Sequence, residues 1–286
     1  MDKITVLPPP YKNVDCYFVA SDWHSYHLKP ACLTILIQHA LRLNREHRRL
    51  IILGDFLDFS FLMKKKESYK KYINRNDGID CHFLPLYKEE IEVGNLILDL
   101  VCSIFHEVIF AHGNHDEPRV AGLVQDCPQG YKHNFDMERD LKFRERGINV
   151  VIKYNNWLDI GNMSFTHGMF HGNSAHKKHY LASRARSVMF GHIHHDNEES
   201  FMVRGYTAKA FSLPAMCDLN PEYIRNSETN WTNGYRTFFV KPNGNFNVYS
   251  HTIWNDELIL DGGDLIGHKE LQVCRKLFEK LREDRS

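Results

Sequence analysis

Asp15-Cys16-Tyr17-Phe18-Val19-Ala20, followed at once by Ser21-Asp22-Trp23-His24, is the stretch that decides the fold. An apolar run of this length reads as a buried strand, and the polar residues after it mark the strand's C-terminal end. Across residues 30–47, Leu33, Leu36, Ile37, Ala40 and Leu41 recur at helical spacing, and Pro30 suits a first helical turn. Leu50-Ile51-Ile52-Leu53 then reads as a second strand that stops at Gly54-Asp55. Strand, helix and strand, with a carboxylate after each strand, is the pattern of a parallel crossover unit. Open α/β sheets carry their sites at such strand ends.

The same rhythm continues. Residues 87–105 return to helical spacing, and Glu107-Val108-Ile109-Phe110-Ala111 is a third strand closed by Gly113-Asn114-His115-Asp116. Residues 117–146 are mixed. Short strands are expected at 149–152 and 157–160, joined by a turn. Met163-Ser164-Phe165-Thr166 leads into His167-Gly168, and Ser187-Val188-Met189-Phe190 leads into Gly191-His192-Ile193-His194. Strands at 206–213 and 235–252, the latter folded at Pro242-Asn243-Gly244, precede a charged amphipathic helix over 269–281. The expectation is an α/β fold, a two-sheet β-sandwich flanked by helices. It forms one domain over 1–286, with a basic insertion around 59–86 and a C-terminal hairpin and helix over 235–286.

Lys plus Arg and Asp plus Glu both number 36, so no global field draws the chain to nucleic acid or membrane, and such binding would use local patches. The basic patches are Lys64-Lys65-Lys66 with Lys70 and Lys71, and the loop pair Lys177-Lys178; a solvated face is the plainer reading of each. Seven cysteines without C-x-x-C spacing argue against a zinc ribbon and read as small buried hydrophobes. An odd count and an N-terminus unlike a signal peptide point to the cytoplasm, with no membrane span.

The 18 histidines are more informative, because many stand beside glycines and carboxylates at the ends of apolar runs. If five strand ends converge, Asp22, His24 and His194 form one cluster, Asn114, His167 and His192 another, and Asp55 bridges them. That set suits two divalent ions with nitrogen and oxygen ligands and no thiolate. Manganese is the expected metal, with iron, zinc, nickel and cobalt as alternatives. Such a pair activates a bridging water for in-line attack on a phosphoryl group. His115 is then placed to protonate a leaving group, with Asp116 orienting it. Asp58, Arg119 and His112 are assigned supporting or substrate-binding positions.

The order D-x-H, G-D-x-x-D, G-N-H-D, H-G, G-H-x-H, running from Asp22 to His194, resembles the calcineurin-like metallophosphoesterase superfamily. The resemblance implies a four-layer α/β/β/α sandwich. It also implies that Asp22, His24, Asp55, Asn114, His167, His192 and His194 are metal ligands and that His115 is the general acid. Phe59-Ser60 stands where the protein phosphatases of that superfamily carry Arg-Gly, and His115 where its lipid-A pyrophosphatases carry Arg. The expected function is a metal-dependent phosphodiesterase, with nucleic acid as one candidate substrate. A phosphomonoesterase acting on a nucleotide or small metabolite is the alternative, and a non-catalytic metal-binding module is the third reading.

Overall fold

The computed structural model describes residues 3–7, 13–63, 83–126, 129–184, 186–203, 205–220, 229–268 and 271–283. The basic run at Lys64 to Lys71 and the turn at Asn76-Asp77-Gly78 lie outside the described residues. Two six-stranded mixed sheets and a small two-stranded one account for the strands. The first large sheet contains β2 (Asp15–Ala20), β3 (Arg49–Leu53), β4 (Glu107–Ala111) and β5 (Val151–Ile152), all parallel, with β11 (Asn233–Val240) antiparallel on the far side of β2 and β12 (Phe246–Ile253) antiparallel to β11. The second contains β1 (Ile4–Leu7), β6 (Trp157–Ile160), β7 (Met163–Thr166), β8 (Ser187–Phe190), β10 (Tyr206–Ser212) and β9 (Asn197–Val203), in that order. The small hairpin pairs β13 (Glu257–Ile259) with β14 (Leu265–Gly267).

Side-chain alternation builds the layers. Along β2, Tyr17 and Val19 face the second sheet and join Ile51, Leu53, Phe165, Met189 and Phe211 in one apolar core. Phe18 and Ala20 face the other way, into a core with α1 (Pro30–Ala40) and α2 (Phe83–Ile104). On the outer face of the second sheet, Val188, Phe190 and Ala210 pack with Ala175 and Tyr180 of α5 (Ala175–Ala182). The order of layers is helix, sheet, sheet, helix. The short α3 (Glu117–Asp126) and α4 (Met137–Asp140) follow β4, and α6 (Arg275–Glu283) packs against α2.

The strands at 149–152 and 157–160 are joined by a turn as expected, but belong to different sheets: Val151–Ile152 extends the first sheet beside β4, while Trp157–Ile160 pairs with β1 and β7 in the second. The turn between them carries the chain from one sheet to the other. Lys177 and Lys178 lie on helix α5, not in a loop. The first helix ends at Ala40. Among the described residues, no helix is long and apolar enough to cross a membrane.

Candidate metal centre

Five strand ends, those of β2, β3, β4, β7 and β8, meet along one rim of the sandwich. Backbone hydrogen bonds join their loops to one another. The amides of Asp22, Trp23 and His24 donate to the carbonyls of Gly54, Asp55 and Asp55 at 3.0, 2.9 and 2.9 Å, laying the first loop on the second. The Asp116 carboxylate accepts from the amides of Phe56, Leu57 and Gly113 at 3.2, 2.8 and 2.8 Å, fastening the second loop to the third. Gly191 donates to the His167 carbonyl at 2.8 Å, and the His192 amide donates to Asp22 Oδ2 at 3.0 Å, closing the ring.

This crowding explains the residue types. A Cβ on Gly113 would overlap Asp55, and one on Gly54, whose φ is +87°, would overlap the His167 ring. Asp22, His24, Asp55, His192 and His194 hold φ between +46° and +71°, a left-handed conformation that side-chain-bearing residues rarely adopt. Five such residues gathered at one place mark backbone strain maintained by the surrounding hydrogen bonds, as functional sites commonly show.

The side chains so placed form a set of facing acceptors. His167 Nδ1 donates to the Leu53 carbonyl at 2.9 Å, which turns its Nε2 toward the centre of the cluster. That Nε2 faces Asp55 Oδ2 at 3.3 Å and Asn114 Oδ1 at 3.0 Å. His24 Nδ1 contacts Asp58 Oδ1 at 3.1 Å, so its Nε2 is likewise turned inward, 3.3 Å from His194 Nε2 and 3.9 Å from Asp55 Oδ2. His194 Nε2 is 3.2 Å from Asp22 Oδ1, while its Nδ1 is buried without a hydrogen-bond partner. Ligands bound at about 2.0–2.2 Å to one ion, at tetrahedral or octahedral angles, lie roughly 3–3.6 Å apart. Most of these spacings fall in that range. Three groups of potential ligands result: Asp55, His167 and His192; His24, Asp55 and His115; and His24, His194 and Cys217.

The electrostatics agree. Burial alone would raise the carboxyls, but the charge of His194 on Asp22 outweighs it and holds that group down at about 2. His167 does the same for Asp55, and hydrogen bonds from His115 and His24 for Asp58; both stay well below the ordinary carboxylate range. Burial works against a proton on His167, yet the Asp55 charge lifts that imidazole to about 9. Burial pushes His192 down to about 4, helped by the charge of His167.

Asp58 and Arg119 stand beside His115 in supporting positions, whereas Asp116 and His112 are placed otherwise than expected. Asp116 does not touch the His115 ring, because its oxygens are taken by three amides; burial and the Asp55 charge raise it. Asp58 takes its place, accepting from His115 Nδ1 at 2.9 Å. Arg119 lies beneath the rim, donating to the Asp58 carbonyl and to His115 Nε2, the latter at 2.9 Å. A guanidinium can only donate, so His115 Nε2 carries no proton in this arrangement. The expected general acid is therefore engaged at both nitrogens. His112 is turned toward Glu138, at 3.4 Å, and the Phe143 ring, and joins none of the ligand groups.

Three residues at the cluster were given no site role by the sequence. Glu90, buried on α2, accepts from Ser25 Oγ and from the Asp58 amide at 2.8 Å, and burial with the Asp58 charge pushes it up to about 7. Trp231 packs on the His194 ring with centroids 4.2 Å apart. Cys217 is buried beside His24 and His194, so a thiol stands where only nitrogen and oxygen donors were expected. Composition offered no signal for any of them.

A family model described as calcineurin-like phosphoesterase matches residues 17–180. No curated protein matches the sequence significantly. Among solved structures, wild-type Vps29 with zinc from Entamoeba histolytica is 14% identical, with TM-score 0.40, covering 88% of this chain and 96% of that one. A single mutant of the same protein is 12% identical, with TM-score 0.42, covering 89% and 99%. Hypothetical protein PH1004 from Pyrococcus horikoshii is 10% identical, with TM-score 0.40, covering 94% and 93%. The phosphodiesterase and nuclease expectation, and with it the assignment as a hydrolase, is corrected here. Several of the solved structures matched are Vps29 chains, a likeness of fold; within this chain, the residue expected to act as acid is held at both ring nitrogens.

Proposed function

We propose, from the premise that the chain belongs to the calcineurin-like phosphoesterase family, that it is a metal-binding module holding two divalent cations on its rim without turning over phosphoesters. The observation that carries this reading is the convergence of His167 Nε2 with Asp55 Oδ2 and Asn114 Oδ1 at 3.3 and 3.0 Å, where in the metal-free fold the imidazole proton lies between them and a cation in its place would take a lone pair from each. A cation satisfies all three at once. Asp55, shared by two of the ligand groups, would bridge the positions. Asp22, His24 and His194 would hold one ion, and Asn114, His167 and His192 the other. Bound cations supply concentrated positive charge to which a water or an anionic oxygen can be held. Asp58 keeps His24 oriented, and Asp116 fastens the second and third loops in register.

The test is metal analysis of the purified full chain after loading with manganese or zinc, beside assays with a chromogenic phosphomonoester and diester. About two ions per chain, loss of both in Asp55→Ala, and no turnover above the chelated control are expected. Metal-dependent hydrolysis of either ester would overturn the reading, as would failure to retain any ion.

A further inference from the structure

The ligand positions are not chemically alike. Around His167 the donors are the carboxylate, amide and imidazoles of Asp55, Asn114, His167 and His192. Around His194 a thiol joins them: the ligand atoms of His24, His194 and Cys217 all lie within 4.8 Å of one another, and all three residues are buried. This is a cluster and not an isolated cysteine. The two imidazole nitrogens already stand 3.3 Å apart, and the Nδ1 of His194, whose side chain is 7% exposed, has no hydrogen-bond partner.

The backbone holds the thiol beside the first loop. The amide of Met216 reaches the carbonyls of Ser21 and Asp22 at 3.2 Å each, and that of Asp218 reaches His27 at 2.8 Å. Cys217 itself bridges to Leu28, and its carbonyl accepts from Asn233 Nδ2 at 2.7 Å. Residues on both sides of Cys217 are thus tied to the segment that presents Asp22 and His24.

We propose that Cys217 is a ligand of the ion held by Asp22, His24 and His194, so that this position takes a thiophilic cation of the zinc or cobalt type while its neighbour remains a nitrogen and oxygen site. The proposal rests on the metal-binding reading above and deepens it. Soft thiolate ligands select zinc-like ions, whereas oxygen-rich sets suit manganese and magnesium. The Asp22 carboxylate, two imidazoles and one thiolate would give four ligands and the bridging Asp55 a fifth, all of types that zinc accepts. On binding, the sulfur–metal bond forms as the S–H bond breaks, and the proton leaves to the solvent; no electron is transferred. The manganese expectation drawn from an all-nitrogen-and-oxygen set therefore does not hold for this position.

The full chain, freed of metal and titrated with cobalt, provides the test. Wild type is expected to bind cobalt with a near-ultraviolet sulfur-to-metal charge-transfer band. Cys217→Ser should lose the band while still binding cobalt at the neighbouring position, and Cys32→Ser, a buried free cysteine outside the cluster, should keep it. Zinc affinity at the first position should fall roughly 10–100-fold in Cys217→Ser, the scale seen when a supporting group at a metal is lost. Zinc-loaded wild type examined by X-ray absorption needs no variant and should show a sulfur scatterer at about 2.3 Å. Bound zinc with no sulfur neighbour, or a cobalt band that survives Cys217→Ser, overturns the assignment of Cys217 while leaving the metal-binding reading intact. Failure of wild type to bind either ion overturns that reading itself.

Discussion

Glu90 is a buried carboxyl whose removal is expected to stabilise the metal-free protein, and the direction depends on pH. Its oxygen accepts from the Asp58 amide at 2.8 Å and from Ser25 Oγ, but burial and the charge of Asp58 raise it from the ordinary 4.5 to about 7. The folded state therefore binds this proton more tightly than the unfolded state does. The stability it contributes is fully present below about 4.5 and is lost as pH rises through 7. At about 1.4 kcal/mol per tenfold change, the charged form costs the fold roughly 3 kcal/mol at pH 8 relative to the neutral one. Gln has nearly the shape of the protonated acid and keeps an oxygen acceptor for the Asp58 amide. Denaturant unfolding of wild type and Glu90→Gln, both with a chelator present, should give similar stabilities at pH 5. At pH 8 the variant should be more stable by about 2–3 kcal/mol. A Glu90→Gln protein that is less stable than wild type at pH 8 by more than about 1 kcal/mol would show that the charged carboxylate is needed, refuting the burial argument.

Two further outcomes follow from the same geometry. The Asp55 charge lifts His167 to about 9, so the proton on that imidazole stabilises the metal-free fold below about 6.5 and is lost as pH rises through 9. A cation must displace it, and apparent affinity at that position should climb about tenfold per pH unit from 7 to 9; calorimetry in buffers of different ionisation enthalpy checks this, and a flat profile contradicts it. Gly113→Ala places a methyl group on Asp55, so ion retention should be lost together with about 1–3 kcal/mol of stability, measured by metal analysis and denaturant unfolding; normal ion content would show that the loops move apart freely.

The convergence of Asp22, His24, Asp55, Asn114, His167, His192 and His194 was legible because each stands in a short local fragment directly after an apolar run, and such fragments survive without knowledge of which strands are neighbours. Partner choice was not. Asp116 adjoins His115 in sequence and so seemed its natural partner, but the helix starting at Glu117 turns its carboxylate back onto the amides of Gly113, Phe56 and Leu57. Asp58, from another loop, reaches the ring instead. Glu90 reads as one more charge on the solvated face of a helix, and only the closeness of Ser25 and Asp58 shows that it faces inward. Cys217 stands 23 residues beyond His194 with no repeating interval to mark it. The strand Asn197–Val203 escaped notice because it lies at the edge of its sheet, where Asn197-Glu198-Glu199-Ser200 needs no apolar alternation.

His115 bears on the difference between holding ions and using them for turnover, because it was the candidate general acid. Its ring lies between a carboxylate and a guanidinium, donating to Asp58 at 2.9 Å and accepting from Arg119 at 2.9 Å. To deliver a proton from Nε2, the ring would have to part from Arg119 and gain a second proton beside that cation. Each hydrogen bond to a charged group is worth about 1.5–3 kcal/mol, so giving up the Arg119 contact alone would slow the acid step by roughly 10–100-fold before any effect of the nearby cations. Two divalent ions a few ångströms away would oppose the second proton further. The same pairing costs a metal-binding module nothing. It holds the Asp58 carboxylate in place, and that carboxylate in turn fixes His24 with its lone pair toward the ion position. Under the proposed metal-binding reading, Arg119, His115 and Asp58 together would brace His24 as a ligand, at the expense of the group that acid catalysis would require to be free.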